Sequence, residues 1–180
     1  KGDSEGHHWI VFRNGGWGKR QDGYDTIEWI AKQTWCNGKV GTWGLSALGI
    51  TQAMMTPSQP PHLECQHIAF AFSNMYSHCA YQGGAWRTEL IEAWLKANHM
   101  VETNLDAFVE HPTYDRFWMD LDAASQAARV LVPVMFVGGW YDCFSQGTID
   151  GFVAIQNNGI GAAREKCRLV MGPWAHGQIK

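Results

Sequence analysis

Val130-Leu131-Val132-Pro133-Val134-Met135-Phe136-Val137-Gly138, continued by Gly139-Trp140-Tyr141-Asp142, is the stretch on which the fold turns. Nine residues that are almost all apolar and rich in valine read as a strand of a parallel sheet, covered on both faces. The run ends on two glycines and a carboxylate. Downstream, Gln146 to Gln156 is read as a helix closed by Asn157 to Gly161, and Cys167 to Met171 as a last strand. That strand runs into Gly172-Pro173-Trp174-Ala175-His176-Gly177.

Upstream, the same punctuation recurs. Lys1 to Arg20 is polar and Gly-rich and reads as loop. Asp22 to Gln33 reads as a helix, with Ile27, Ile30 and Ala31 on one face. Asn37-Gly38 signals a turn. Lys39 to Thr42 is a short strand that leads into Gly44-Leu45-Ser46-Ala47-Leu48-Gly49, and Ala47 to Met55 carries the small and apolar residues of a buried helix. Thr56 to Pro61 breaks it. Gln66 to Phe72 reads as a second buried strand. Residues 73–129 differ from the rest: they are rich in Trp, His and charge, with helical spacing over Trp86 to Ala97 and Leu105 to Glu110, and are expected to form a helical insertion. Strand, helix, strand, insert, strand, helix, strand implies an α/β fold with a parallel sheet. Residues 1–72 and 130–180 would form its core.

Composition narrows the function. The chain has 180 residues, 46% hydrophobic and 17% charged, enough for one domain with a sizeable core. Lys and Arg number 14 against 17 Asp and Glu, with no basic stripe, so nucleic acid is not an expected partner. No apolar run approaches the roughly eighteen residues of a membrane span, and no leader pattern is read. The five cysteines form no C-x-x-C pair, and His7, His8, His62, His67, His78, His99 and His111 fit no ligand spacing. No metal or other cofactor is therefore expected.

The chemistry sits at the strand ends. A serine hydroxyl needs a histidine to take its proton and a carboxylate to orient that histidine. In α/β hydrolases the serine stands on a sharp strand-to-helix turn between glycines, and the triad follows in the order serine, acid, histidine. Ser46, Asp142 and His176 each follow a strand, in that order. The Ala47 N–H would begin the helix after Ser46 and supply one oxyanion donor. Asp120 and Asp122 are rival acids, read as surface charges. The strict G-x-S-x-G pattern fails, because Leu48 stands where the second glycine belongs and Gly49 follows one residue later.

Gln21 to Gln52, Gly138 to Phe152 (GGWYDCFSQGTIDGF) and Gly172 to Gly177 (GPWAHG) together resemble the X-Pro dipeptidyl-peptidase and cocaine-esterase-like acyl esterase family. That family writes its elbow with a glycine three residues after the serine, as here. The resemblance runs through nearly the whole chain. It implies an α/β-hydrolase core, the triad Ser46, Asp142 and His176, and an insert that caps an acyl pocket. Trp86, Trp94, Phe117 and Trp118 are the candidate pocket walls, with Tyr141 beside the acid. The expected substrates are small esters, with amides or X-Pro peptides as alternatives, and the expected chemistry is an acyl-enzyme. Ala47 stands where the family commonly has tyrosine, which should widen the pocket. The resemblance also implies strands before Gly2, a jelly roll after the histidine, and a tyrosine hydroxyl as second oxyanion donor, none of which this sequence matches. The strand before Ser46 is thus expected at a bare sheet edge, a template for self-association, and a weakly active or inactive fragment is the rival reading.

Overall fold

The computed structural model describes residues 10–17 and 21–178. Four parallel strands form one sheet in the order β1 (Val40–Leu45), β2 (Leu63–Ala69), β3 (Val134–Gly139) and β4 (Arg168–Gly172). α1 (Asp22–Ala31) precedes β1, α2 (Ala47–Met55) joins β1 to β2, and α6 (Ser145–Asn158) with α7 (Ala162–Lys166) joins β3 to β4. Between β2 and β3 lie a π-helical turn (Tyr76–Ala80), α3 (Thr88–Ala97), α4 (Val101–Val109) and α5 (Arg116–Met119). The loop expected over residues 1–20 is described only at 10–17, where Arg13–Gly15 form a 3-10 turn. His7 and His8 lie outside the described residues.

The strand boundaries move for local reasons. β3 starts at Val134 rather than Val130, because Pro133 has no N–H to give a ladder and contributes only its carbonyl, which accepts from Gln66. β2 ends at Ala69, because Phe70 stands at φ 47° and leaves the extended region. β1 extends to Leu45, so the strand runs straight into the serine turn.

One apolar cluster joins α2, the strands, the 73–129 segment and α6, through Ile50, Met54, Phe72, Leu95, Phe108, Trp118, Phe136 and Ile155. Beneath it a buried polar chain ties β1, α2 and β2 together. Thr42 Oγ1 donates to Gln52 Oε1 at 2.6 Å, Thr56 Oγ1 donates to the Gln66 side chain, and Gln66 Nε2 donates to the Gln52 carbonyl at 3.2 Å. Buried amides are tolerated where their partners are present, and here each is answered.

Coverage of both sheet faces, expected from the valine-rich run, is complete on one face and partial on the other, where Ala69 and Val137 are buried with Leu45 and Trp174 but the residues before them are open. Both α2 and α6 belong to the one cluster on the Ile68 and Phe136 face. Pairing register aligns Trp43, His67, Met135 and Arg168 in a row on the opposite face, where Trp43 is 73% and Met135 42% exposed. The reason is topological. A sheet built in one direction by crossovers of one hand places every connection on the same side.

Candidate active site

The serine turn is built by crowding. Ser46 sits between β1 and α2 at φ 55°, ψ −127°, a region that costs a non-glycine residue about 1–3 kcal/mol. It is held there by its N–H donating to the Ala69 carbonyl at 2.9 Å, and by its own carbonyl accepting from Ile50 N at 2.8 Å. A Cβ on Gly44 would lie 2.7 Å from Leu48 Cβ, and one on Gly49 2.9 Å from Ala71 Cβ. Leu48 therefore fills the space that Gly44 leaves open, while Gly49 is the residue pressed against β2. This accounts for the displaced second glycine of the motif.

The acid loop follows β3. Asp142 has a fully buried side chain, and its Oδ1 accepts from Phe144 N at 2.8 Å at the start of α6. The same oxygen lies 3.0 Å from His176 Nδ1, so one carboxylate both caps the loop and meets the imidazole. The histidine loop follows β4 and is laced to the acid loop: Tyr141 N donates to the Trp174 carbonyl at 3.1 Å and Trp140 N to the Gly172 carbonyl at 2.9 Å. Phe70 and Phe144 press edge-on against the His176 ring, at 6.1 and 5.3 Å between centroids. His176 Nε2 lies 2.8 Å from Ser46 Oγ. The hydrogen bond to Asp142, then the Cys143 thiol beside the ring, hold the imidazole pKa above its usual 6.5 against the opposing effect of burial. Nδ1 is thereby the protonated nitrogen of the neutral ring, and Nε2 is free to accept from the hydroxyl.

Ser46 and His176 border a cavity of about 120 Å³. Its walls come from α2 (Ala47, Ile50), from Phe12 and Phe72, from α3 (Ile91, Trp94) and from the loop before α6 (Cys143, Phe144). No Asp, Glu, Lys or Arg is among the described residues that line it. Of the aromatic residues expected at the pocket, Trp94 lines it, stacked on Phe12 at 5.8 Å. The others lie elsewhere. Trp118 is fully buried under Tyr76, Tyr81 and Phe108, with its Nε1 donating to the His111 carbonyl. Phe117 stacks on His111, Trp86 packs on Tyr81, and Tyr141 is 77% exposed. Their large rings satisfied each other, and spacing in sequence carried no sign of which ring faced the serine. Phe12 was missed because it lies in a stretch read as loop.

The rival carboxylates are occupied away from His176. Asp120 pairs with Arg13. Asp122 is buried rather than a surface charge, accepting from Tyr114 Oη at 2.7 Å and Ser125 N at 3.1 Å. Of the scattered histidines, His62 pairs with Glu28, His78 with Asp150 and His111 with Asp115. Cys79 and Cys167 are buried, and burial raises both thiols above their usual pKa, while Cys65 is exposed.

A parallel sheet with its loops gathered at the carboxyl ends of the strands, and a strained serine on the first of them, is the architecture of the α/β hydrolases. The chain belongs to the X-Pro dipeptidyl-peptidase (S15) family, whose model matches residues 1–106 and 92–178. It is similar to a cocaine esterase of Rhodococcus sp. (strain MB1 Bresler), 26% identical over 88% of this chain and 34% of that one. A CocE/NonD family hydrolase from Staphylococcus aureus superposes with a TM-score of 0.78 at 24% identity, covering 96% of this chain and 31% of its own. An α-amino acid ester hydrolase superposes at 0.68 and 24% identity, over 88% and 32%. The chain thus spans about a third of the length of these relatives.

Proposed function

We propose that this chain carries the catalytic centre of a serine esterase that hydrolyses carboxylic esters through an acyl-enzyme. The observation that carries the reading is the relay from Ser46 Oγ to His176 Nε2 (2.8 Å) and from His176 Nδ1 to Asp142 Oδ1 (3.0 Å), opening on an apolar cavity. Ser46 Oγ attacks the ester carbonyl while His176 Nε2 takes its proton. Asp142 stabilises the imidazolium that forms. The oxyanion meets the Ala47 N–H in the first turn of α2, where backbone donors have no intrahelical acceptor and the helix dipole favours negative charge. His176 returns the proton to the departing alkoxide. Water, activated by the same nitrogen, then attacks the acyl-enzyme and releases the acid. Residues 73–129 act as the cap, because Met75, Leu90, Ile91, Trp94 and Phe108 roof the cavity.

The lining favours esters of plain apolar acids over α-amino acyl or dipeptidyl substrates. A substrate ammonium needs a carboxylate or a ring of carbonyls, and no acidic side chain is among the described residues that line the cavity. Its volume is close to the roughly 150 Å³ in which an apolar protein cavity holds benzene, so a single ring or a short branched chain is the fitting acyl group.

The direct test is hydrolysis of p-nitrophenyl esters over a short-to-medium acyl series. The wild-type chain should turn over, and Ser46→Ala should lose about 10⁴-fold or more in kcat/KM while keeping its fold by circular dichroism. Equal rates in the two proteins would overturn the assignment.

A further inference from the structure

Cys143 stands beside this centre with a thiol that acyl transfer does not use. It follows Asp142 directly, lines the cavity, and holds its Sγ 4.0 Å from His176 Nδ1. One ligand atom each from Asp142, Cys143 and His176 can be drawn from within 4.8 Å of one another. A second observation points to a ligand: Asp142 Oδ2 has no hydrogen-bond partner among the described residues, on a residue only 6% exposed.

We propose that Asp142, Cys143 and His176 form a binding site for a thiophilic divalent cation of the zinc class, and that its occupancy switches the serine centre off; the switch, though not the binding, rests on the esterase reading. The donor set of one sulfur, one imidazole nitrogen and one carboxylate oxygen is that of zinc sites. Two anionic ligands balance the ion's charge. Zinc lies about 2.3 Å from sulfur and about 2.0–2.1 Å from nitrogen, so one ion bridges at most about 4.4 Å between them. Cys143 Sγ and His176 Nδ1 are within that reach. On binding, the thiol proton leaves to solvent, the single proton of the neutral His176 ring passes from Nδ1 to Nε2 by exchange with water, and the ion takes the thiolate and the vacated Nδ1. Nε2 now donates to Ser46 Oγ instead of accepting from it, and the serine has no base. The wrong tautomer is a known way to silence such a relay.

Binding is measured first without turnover, on the full chain carrying Ser46→Ala. Cd²⁺ titration should give a thiolate-to-metal absorption band in the ultraviolet, lost with Cys143→Ser and retained with Cys65→Ser, which removes the exposed thiol. Zn²⁺ inhibition of ester hydrolysis is then followed in the Ser46 protein, each curve normalised to the variant's own metal-free rate. Half-inhibition should move to about 10-fold or more higher Zn²⁺ in Cys143→Ser, since even partners behind a ligand are worth that much in affinity. A chelator should restore the wild-type rate. A Cd²⁺ band or a Zn²⁺ sensitivity unchanged by Cys143→Ser, or no metal effect on either, would overturn the site. A Cys143-dependent band in a protein without esterase activity would keep the metal site and remove the esterase reading. The opposite result would do the reverse.

Discussion

Ser46 stands at φ 55° because three elements meet there, and the neighbouring Ala69 carbonyl and Ile50 N–H hold it in place. That strain presents Oγ to His176 rather than to the helix it begins. The acid acts on the same histidine from the other side. A base works only when deprotonated, and the Asp142 carboxylate raises the His176 pKa above 6.5. The acid limb of kcat/KM should therefore lie above pH 6.5, with activity growing as pH rises through it. Asp142→Asn removes the larger cause and leaves the Cys143 thiol, so its limb should fall toward 6.5. Its kcat should drop by about 10⁴-fold, because an amide in that place favours the wrong tautomer. A limb that stays put in Asp142→Asn would mean that another group sets the histidine.

Among the elements, α3 shows how an ordinary amphipathic helix acquires a role. Ile91 and Leu95 are buried and fix the helix on the core, and Trp94, one residue off that stripe, is turned onto Phe12 and into the cavity. Trp94→Ala should enlarge the cavity and move the preferred p-nitrophenyl ester to longer or bulkier acyl chains. For short esters KM should rise with a smaller change in kcat, since lost wall contact weakens ground and transition states alike. An unchanged acyl profile would place the substrate elsewhere. The same helix illustrates where pattern reading stops: the spacing over Trp86 to Ala97 predicts a helix, and α3 occupies Thr88–Ala97, but which tryptophan meets the serine depends on the rotation of the helix on its neighbours.

On the scale of the whole molecule, the sheet runs β1 to β4 without reversing, so its own connections cover one face. On the other, Trp43, Met135 and Val170 stand exposed, and β1 is an edge of the described sheet. Apolar faces and open edges of this kind favour association. The 180-residue chain on its own should elute from size exclusion above its monomer mass, in a concentration-dependent way. Trp43→Lys should shift it toward the monomer without loss of esterase rate, because Trp43 is not among the residues that line the cavity. A wild-type chain that is monomeric at every concentration would remove the self-association reading.

Much of this protein could be read before its structure. Apolar runs and glycine-rich turns report local backbone preference, so four strands, the longer helices between them and their order along the chain were legible, while the short α5 and α7 were not. Ser46, Asp142 and His176, which the structure brings within hydrogen-bonding reach, could be singled out as candidates because each follows a strand, and strand ends are marked by local chemistry. Tertiary structure alone decided the rest. The 2.8 and 3.0 Å contacts bring together residues separated by 130 and 34 positions, through the packing of separate loops. The pocket wall, the burial of Asp122 and the partly open face of the sheet depend in the same way on which side of each element meets a neighbour. Sequence periodicity gives a face its polarity but does not name the partner it packs against.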